Sequence, residues 1–179
     1  MEDSHNYAER TVTKKAEGAN LRKRLLLIFA YILAVAACIV LAILTSGGLA
    51  VAFGIFAVLI IALIFFTWRL VKEERKYVIE NAKLHIYNVN GAGKEKLVFE
   101  ELVSAFSAIV PVNDEYKAQF GEADEKLDCR GDAKSPDSYV GIIEKDGKKT
   151  AVFFEVTNKM LKVMKFYNSK GTVVTTVRY

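Results

Sequence analysis

The stretch that decides the fold is LLLIFAYILAVAACIVLAILT at residues 25–45, SGG at residues 46–48 and LAVAFGIFAVLIIALIFFTW at residues 49–68. It contains no charged residue. Each apolar run has about 20 residues, and a helix of that length spans about 30 Å of hydrocarbon. The small residues Ser46, Gly47 and Gly48 between the runs predict a turn. The sequence therefore predicts a membrane-spanning helical hairpin over residues 25–68.

Basic residues flank this hairpin on both sides. They are Arg22, Lys23, Arg24, Arg69, Lys72, Arg75 and Lys76. The turn between the two runs carries no charge. Because basic residues concentrate on the cytoplasmic side of membrane helices, we expect a multi-pass protein of the cell membrane with both termini in the cytoplasm. Trp68 is expected to lie at the membrane–water interface, where indole rings are enriched.

Small residues recur along both runs and predict the face on which the helices pack. They are Ala30, Ala34, Cys38 and Ala42 in the first run, and Ala50 and Gly54 in the second. Small residues at such intervals let helix backbones approach closely in lipid. Two interpretations stay open, since this face could close the hairpin on itself or bind another membrane subunit. The absence of ionisable side chains disfavours a transporter and a water-filled pore of the holin type.

The regions on either side of the hairpin differ in length. Residues 1–24 form a polar cytosolic tail, and its first 20 residues are expected to be disordered or a frayed surface helix. Residues 69–179 are long enough for one small domain with its own core. The tail and the part after Trp68 each contribute +2 to the net charge of +4. That basic excess is too small for a nucleic-acid-binding protein.

Beyond residue 76 the pattern changes to short strands. Runs of β-branched and aromatic residues, bounded by turn residues, indicate β-structure. The predicted strands are residues 76–80, 83–89, 94–100, 105–110, 126–130, 138–145 and 148–156. Residues 69–76 are expected to extend the second helix out of the membrane. Thr157 and Asn158 are predicted to cap an amphipathic helix at residues 157–168, and residues 172–179 are a candidate additional strand.

About seven antiparallel strands followed by one helix is the element order of a pleckstrin-homology-like (PH-like) domain. The segments YVIENAKLHI (77–86), KKTAVFFE (148–155) and NKML (158–161) resemble a family of small, uncharacterised membrane proteins of Gram-positive bacteria. The resemblance covers about residues 25–168 and implies two N-terminal transmembrane helices with a cytosolic PH-like domain at residues 69–179. Ala82 stands where the family pattern has glycine. The members end soon after the helix, so the resemblance does not explain residues 172–179, and it implies no reaction and no ligand.

No catalytic, cofactor or metal site is predicted. Two cysteines, Cys38 and Cys129, and two histidines, His5 and His85, lack the spacing of a zinc site. Residues 91–94 lack the full spacing of a phosphate-binding loop. His85 faces away from its apolar neighbours in the strand and is expected to be inert. We therefore expect a protein that is not an enzyme and has no small-molecule substrate.

Two hypotheses for the function remain. The first is a membrane-anchored interaction or scaffold module that binds a protein partner or forms a homo-oligomer. The alternative is peripheral recognition of anionic lipid headgroups. The candidate basic residues are Lys94, Lys96, Lys145, Lys148 and Lys149. In lipid-binding PH domains the basic residues lie on the loop joining the first two strands, and here that loop is predicted to be residues 80–82, which are short and acidic. Hairpin lysines are more often solubilising charges.

Overall fold

The computed structural model describes residues 6–15, 18–45, 47–70 and 72–177, without the side chains of residues 18–20, 23 and 68–70. Within these ranges there are eight strands, four α-helices and one 3-10 helix. The strands are β1 Ala8–Thr13, β2 Glu73–Glu80, β3 Lys83–Asn90, β4 Glu95–Leu102, β5 Phe106–Pro111, β6 Glu125–Asp128, β7 Ser138–Lys145 and β8 Lys148–Glu155. The helices are α1 Gly18–Leu44, α2 Gly48–Leu70, α3 Lys117–Gly121, α4 Asn158–Tyr167 and the 3-10 helix Val103–Ala105. The predicted turn residue Ser46 and the side chain of Trp68 lie outside the described part.

The chain forms two compact units. The first, the β-rich unit, contains the N-terminal segment up to Lys14, then Glu73–Val89, and the chain from Gly93 onward. The second, the helical unit, contains Lys15–Lys72 together with Asn90–Ala92. Because β1 precedes the two long helices and β2 follows them, the helical unit is an insertion in the β-rich unit.

The helical unit holds two apolar helices. The segments Arg24–Leu44 and Gly48–Thr67 are long and apolar enough to cross a membrane. Most of their large apolar side chains are exposed. The Tyr31 hydroxyl donates a hydrogen bond of 2.8 Å to Thr67 Oγ1 and so links α1 to α2. The predicted helical hairpin is therefore present.

The β-rich unit contains two four-stranded sheets. The first has the order β1-β2-β3-β4 and the second has the order β5-β7-β8-β6. The strand β6 pairs with β8 in parallel. The prediction of about seven antiparallel strands is therefore corrected to eight strands with one parallel pairing, while the β-rich fold with a C-terminal helix is confirmed.

The main core lies between the two sheets and beneath α4. Its largest fully buried side chains include Tyr77, Ile79, Leu84, Ile86, Tyr139, Phe154, Met160, Leu161 and Met164. Fully burying an aliphatic or aromatic side chain contributes about 1.5–3 kcal/mol relative to exposure. Thr157 Oγ1 accepts a hydrogen bond of 3.2 Å from the backbone N–H of Met160, which confirms the predicted N-cap of α4.

A second apolar cluster covers the other face of the second sheet. It is built around Val110, Val140, Ala151 and Phe153, against which Phe120 of α3 packs edge-on at 5.6 Å between ring centroids. The strands β7 and β8 are thus buried on both faces, which explains their almost continuous apolar sequence.

Three local predictions are wrong. Within residues 1–20, where disorder or a frayed helix was expected, residues 8–13 form the strand β1. The helix α2 ends at Leu70 and β2 begins at Glu73, so residues 73–76 are strand and not a helical extension. In the C-terminal segment the described residues form a single bridge, between Thr172 and Ile109, and no strand. Tyr179 lies outside the described part.

Candidate functional site

The two segments of the chain that lead into and out of the helical unit lie side by side. The backbone N–H of Lys14 donates a hydrogen bond of 2.9 Å to the carbonyl of Glu73, and Lys14 Nζ lies 3.2 Å from Glu73 Oε2. The strand pairing continues from this point, with Thr13 opposite Glu74 and Ala8 opposite Ile79. The hydrogen-bonded pair Lys14 and Glu73 is named here the junction. It continues the pairing of β1 with β2 up to the two points where the chain enters and leaves the helical unit.

A buried ion network ties β1 to the second sheet. Arg10 Nη2 lies 3.3 Å from Asp137 Oδ2 and 3.5 Å from Glu155 Oε2, and Nη1 donates to the carbonyl of Val156. The side chains of Arg10, Asp137 and Glu155 are only 12, 2 and 5 % exposed. Two carboxylates buried without a cation would be strongly destabilising, so Arg10 is required for this arrangement.

Glu155 also fixes the loop that follows β6. Its Oε1 accepts hydrogen bonds of 2.9 and 3.0 Å from the backbone N–H groups of Gly131 and Asp132. A Cβ atom at Gly131 would lie 2.7 Å from Val12 Cγ2 and 3.1 Å from the carbonyl oxygen of Thr13. Only glycine fits there without a shift of β1, and the loop and the N-terminal strand are therefore packed as one unit.

Two titratable groups next to this network are buried and neutral. The Tyr77 hydroxyl donates a hydrogen bond of 2.9 Å to the carbonyl of Cys129, and burial raises the pKa of Tyr77 well above its ordinary value. Burial also raises the pKa of the Cys129 thiol to about 11. A thiol at that pKa is protonated at neutral pH and is a poor nucleophile. Neither group is poised for catalysis.

The family model described as Bacterial PH-like domain (DUF6106) matches residues 4–174. The chain belongs to this family. The match includes both β1 and the helical unit, in agreement with a domain that is interrupted by the helices. No curated protein and no solved structure is significantly similar to the chain.

The insertion changes which loop joins the first two strands of the PH-like domain. That loop was predicted to be residues 80–82, but those residues form the turn between β2 and β3. The connection from β1 to β2 is the helical unit itself. The prediction failed because β1 was not recognised, so each later strand was counted one place too early.

Two of the candidate lysines lie at the end of the first sheet that carries the junction. Lys94 precedes β4 and Lys96 is its second residue. Their neighbour Glu95 forms a salt bridge of 3.0 Å with Lys76, the fourth residue of β2. Both lysines are exposed.

The other three candidate lysines lie at a different place. Lys145, Lys148 and Lys149 flank the β7–β8 turn. Lys145 Nζ lies 3.7 Å from Glu101 Oε2, near the end of β4 that is remote from the junction. The PH-like domain therefore does not bring the five lysines together into one basic patch.

Four of the six residues of the predicted packing face are partly buried in the structure. Ala34, Cys38, Ala42 and Ala50 are partly buried, whereas Ala30 and Gly54 are exposed. A Cβ atom at Gly54 would meet nothing within 4 Å. The partly buried positions in α2 are 50, 53, 57, 60, 64 and 67, a repeat of three and four residues that is typical of helix packing. Phe53 and Ala57 continue the face where Gly54 was expected.

His85 has a partner that the sequence did not reveal. As predicted, it faces away from the buried side chains of Leu84 and Ile86. Its Nδ1 lies 3.7 Å from Glu100 Oε2, and its ring is 6.2 Å from that of Tyr87. Glu100 also pairs with Lys83 at 2.7 Å. Among the described residues, no group of three His, Cys, Asp or Glu side chains could hold a metal ion.

Proposed function

We propose that the chain is a membrane-anchored, non-enzymatic interaction or scaffold module. The helices α1 and α2 hold the PH-like domain at the cytoplasmic face of the cell membrane, where it binds a protein partner or a second copy of the chain. The observation that carries this proposal is the pairing of β1 with β2 across the helical insertion.

That pairing supports a two-span topology. Both strands belong to one sheet, which supports a topology with the two ends of the helical unit in the same compartment and an even number of membrane crossings. Two helices of sufficient length fit this topology. Basic residues at both ends, Arg22 and Arg24 near the start of α1 and Lys72 after α2, favour the cytoplasm as that compartment.

The polar groups of the domain support a role without catalysis. Asp137 and Glu155 bind Arg10 in the core, and the Cys129 thiol is buried. These groups stabilise the fold, and none of these four side chains forms a pair of a nucleophile with a general base. PH-like domains in general act through binding.

Extraction and native mass spectrometry test the proposal. A tagged full-length chain should stay with the membrane pellet in alkaline carbonate, and mild detergent should release it with a stoichiometric protein partner or as a homo-oligomer. Recovery in the soluble fraction, or a monomer without any partner, would contradict the proposal.

Recognition of anionic headgroups is the second candidate, and the position of Lys94 and Lys96 at the junction end of the sheet favours it. Full-length chain is reconstituted in nanodiscs of phosphatidylcholine alone or of equal parts phosphatidylcholine and phosphatidylserine. Headgroup contact should slow amide hydrogen exchange around Lys96 only with phosphatidylserine, and Lys94→Glu with Lys96→Glu should abolish the difference. Equal exchange in both lipids would exclude this role.

A further inference from the structure

The outer face of α4 carries an unusual concentration of positive charge. The last 24 residues contain four lysines and one arginine and no acidic residue, a charge of +5 against +4 for the whole chain. The exposed lysines and the exposed aromatic residue of α4 and of the turn after it, named here the α4 outer face, are Lys159, Lys162, Lys165, Phe166 and Lys170. The rest of the chain, residues 1–155, therefore carries a net charge of −1.

The lysines of this face differ from those of the first sheet in their surroundings. Lys76 and Lys83 on the sheet pair with glutamates at 3.0 and 2.7 Å. Lys165 Nζ instead donates a hydrogen bond of 2.8 Å to the carbonyl of Thr172. Within the described ranges no acidic side chain forms a salt bridge with Lys162, Lys165 or Lys170. Their charge is therefore not neutralised by the domain itself.

An aromatic side chain stands among these lysines. Phe166 is 71 % exposed, more than any other large apolar side chain described in the β-rich unit. Its ring meets that of Tyr167 edge-on, with 5.1 Å between the centroids. Exposed aromatic side chains with a charged rim are typical of the residues that dominate binding energy at protein interfaces. Solubility alone explains the lysines but not Phe166.

The C-terminal end of α4 lies far from the junction within the PH-like domain. Tyr167 lines a cavity of about 260 Å³ with Glu80 and Asn81, at the β2–β3 turn. The junction residue Glu73 is at the opposite end of β2, and the seven steps between Glu80 and Glu73 correspond to about 23 Å of strand. A partner that reaches Phe166 therefore approaches the end of the domain that is remote from the chain's entry into the helices.

We propose that the α4 outer face binds an acidic segment of a protein partner, with Phe166 as the apolar contact and Lys162 and Lys170 as the charged contacts. This inference rests on the proposed function and names the partner class and the surface. Charge complementarity selects an acidic segment, because the face carries four lysines and, among the described residues, none of those that form it is acidic.

Peptide binding to the reconstituted protein tests the inference. Full-length chain in phosphatidylcholine nanodiscs, which carry no net charge, is titrated against a fluorescein-labelled peptide of glutamate pairs separated by single leucines. We expect binding by fluorescence anisotropy that weakens as salt is raised. Lys162→Glu with Lys170→Glu should weaken it about tenfold, and Phe166→Ala about fivefold. The control Lys148→Glu changes an exposed lysine of the β7–β8 turn and should leave affinity unchanged.

Three results would overturn the inference. The first is that the peptide does not bind the native chain. The second is that the α4 variants bind the peptide as tightly as the native chain does, and the third is that Lys148→Glu loses as much peptide affinity as they do. If the peptide does not bind but the nanodiscs attach to phosphatidylserine vesicles, and this attachment is lost in Phe166→Ala, the α4 outer face binds a membrane instead. Because the peptide assay uses purified protein in neutral lipid, its failure is distinguishable from failure of the proposed function, which is read from carbonate extraction and native mass spectrometry.

Discussion

Lys14 and Glu73 are neighbours in one antiparallel ladder although they are 59 positions apart in the sequence. Everything between them is the helical unit and its connections. The PH-like domain therefore completes its first sheet only when both ends of the helices are on the same side. The first sheet is therefore built from two segments that the helical unit separates in the sequence.

Removing the helices should leave a soluble domain that folds. We predict that a chain in which Lys14 is joined to Glu73 by Asn-Gly folds, since this dipeptide forms the tight turn that suits two paired strands. A chain that begins at residue 69 lacks β1 and should not fold. Far-ultraviolet circular dichroism distinguishes the two chains, because only a folded chain shows a cooperative thermal unfolding transition. A folded chain lacking β1 would show that the strand is dispensable.

Arg10 should be essential for stability. Arg10→Met keeps the aliphatic stem but leaves Asp137 and Glu155 buried without a cation, and breaking a buried ion network costs about 3–5 kcal/mol. In the soluble chain with the helices removed, this should appear as a large drop in Tm. The control Lys83→Met removes an exposed ion pair with Glu100 and should change Tm little. Similar effects in the two variants would contradict the role of Arg10.

Ala82 should be a site of stored backbone strain. Its φ of 63° and that of Asn81, 51°, lie in the left-handed region, where a Cβ atom is unfavourable. Ala82→Gly should therefore stabilise the domain by about 1 kcal/mol in denaturant unfolding. Ala92→Gly is the control: Ala92 lies in a turn at a negative φ, so glycine there should be neutral or slightly destabilising. A loss of stability in Ala82→Gly would contradict this account.

Cys129 should be unreactive in the folded protein. Because burial raises its pKa to about 11, maleimide labelling should stay negligible between about pH 7 and about pH 9 and should appear on unfolding. An exposed thiol introduced by Lys148→Cys should label faster as the pH rises over this range. Folding raises the pKa, so the stability that Cys129 contributes is complete below the unfolded thiol value of about 8.5 and is lost as the pH rises toward 11. Rapid labelling of native Cys129 would be inconsistent with the structure.

The sequence predicted the elements whose signal is local. The hairpin β7–β8 was predicted at residues 138–145 and 148–156, and the structure has it at Ser138–Lys145 and Lys148–Glu155. Its signals, the runs of β-branched and aromatic residues and the turn Asp146-Gly147, are both readable from neighbouring residues. Helix α4 was likewise predicted from its apolar stripe and its cap at Thr157.

The strand β1 was missed because its signal is not local. Its inward positions are Ala8, Arg10 and Val12, and a charged residue at the central one hides the alternation. Arg10 is buried only because it forms ion pairs with Asp137 and Glu155, which are 127 and 145 positions away in the sequence.

The central claim is that the helices are inserted between two strands that lie on the cytoplasmic side. Single cysteines placed by Thr11→Cys in β1, Gly47→Cys in the turn and Lys148→Cys in the β7–β8 turn report it directly, because Cys129 is buried and Cys38 lies in the apolar helix. Intact cells are treated with a membrane-impermeant maleimide. We predict labelling at position 47 only, with positions 11 and 148 labelled after permeabilisation. Labelling of positions 11 and 148 from opposite sides of the membrane would contradict the account.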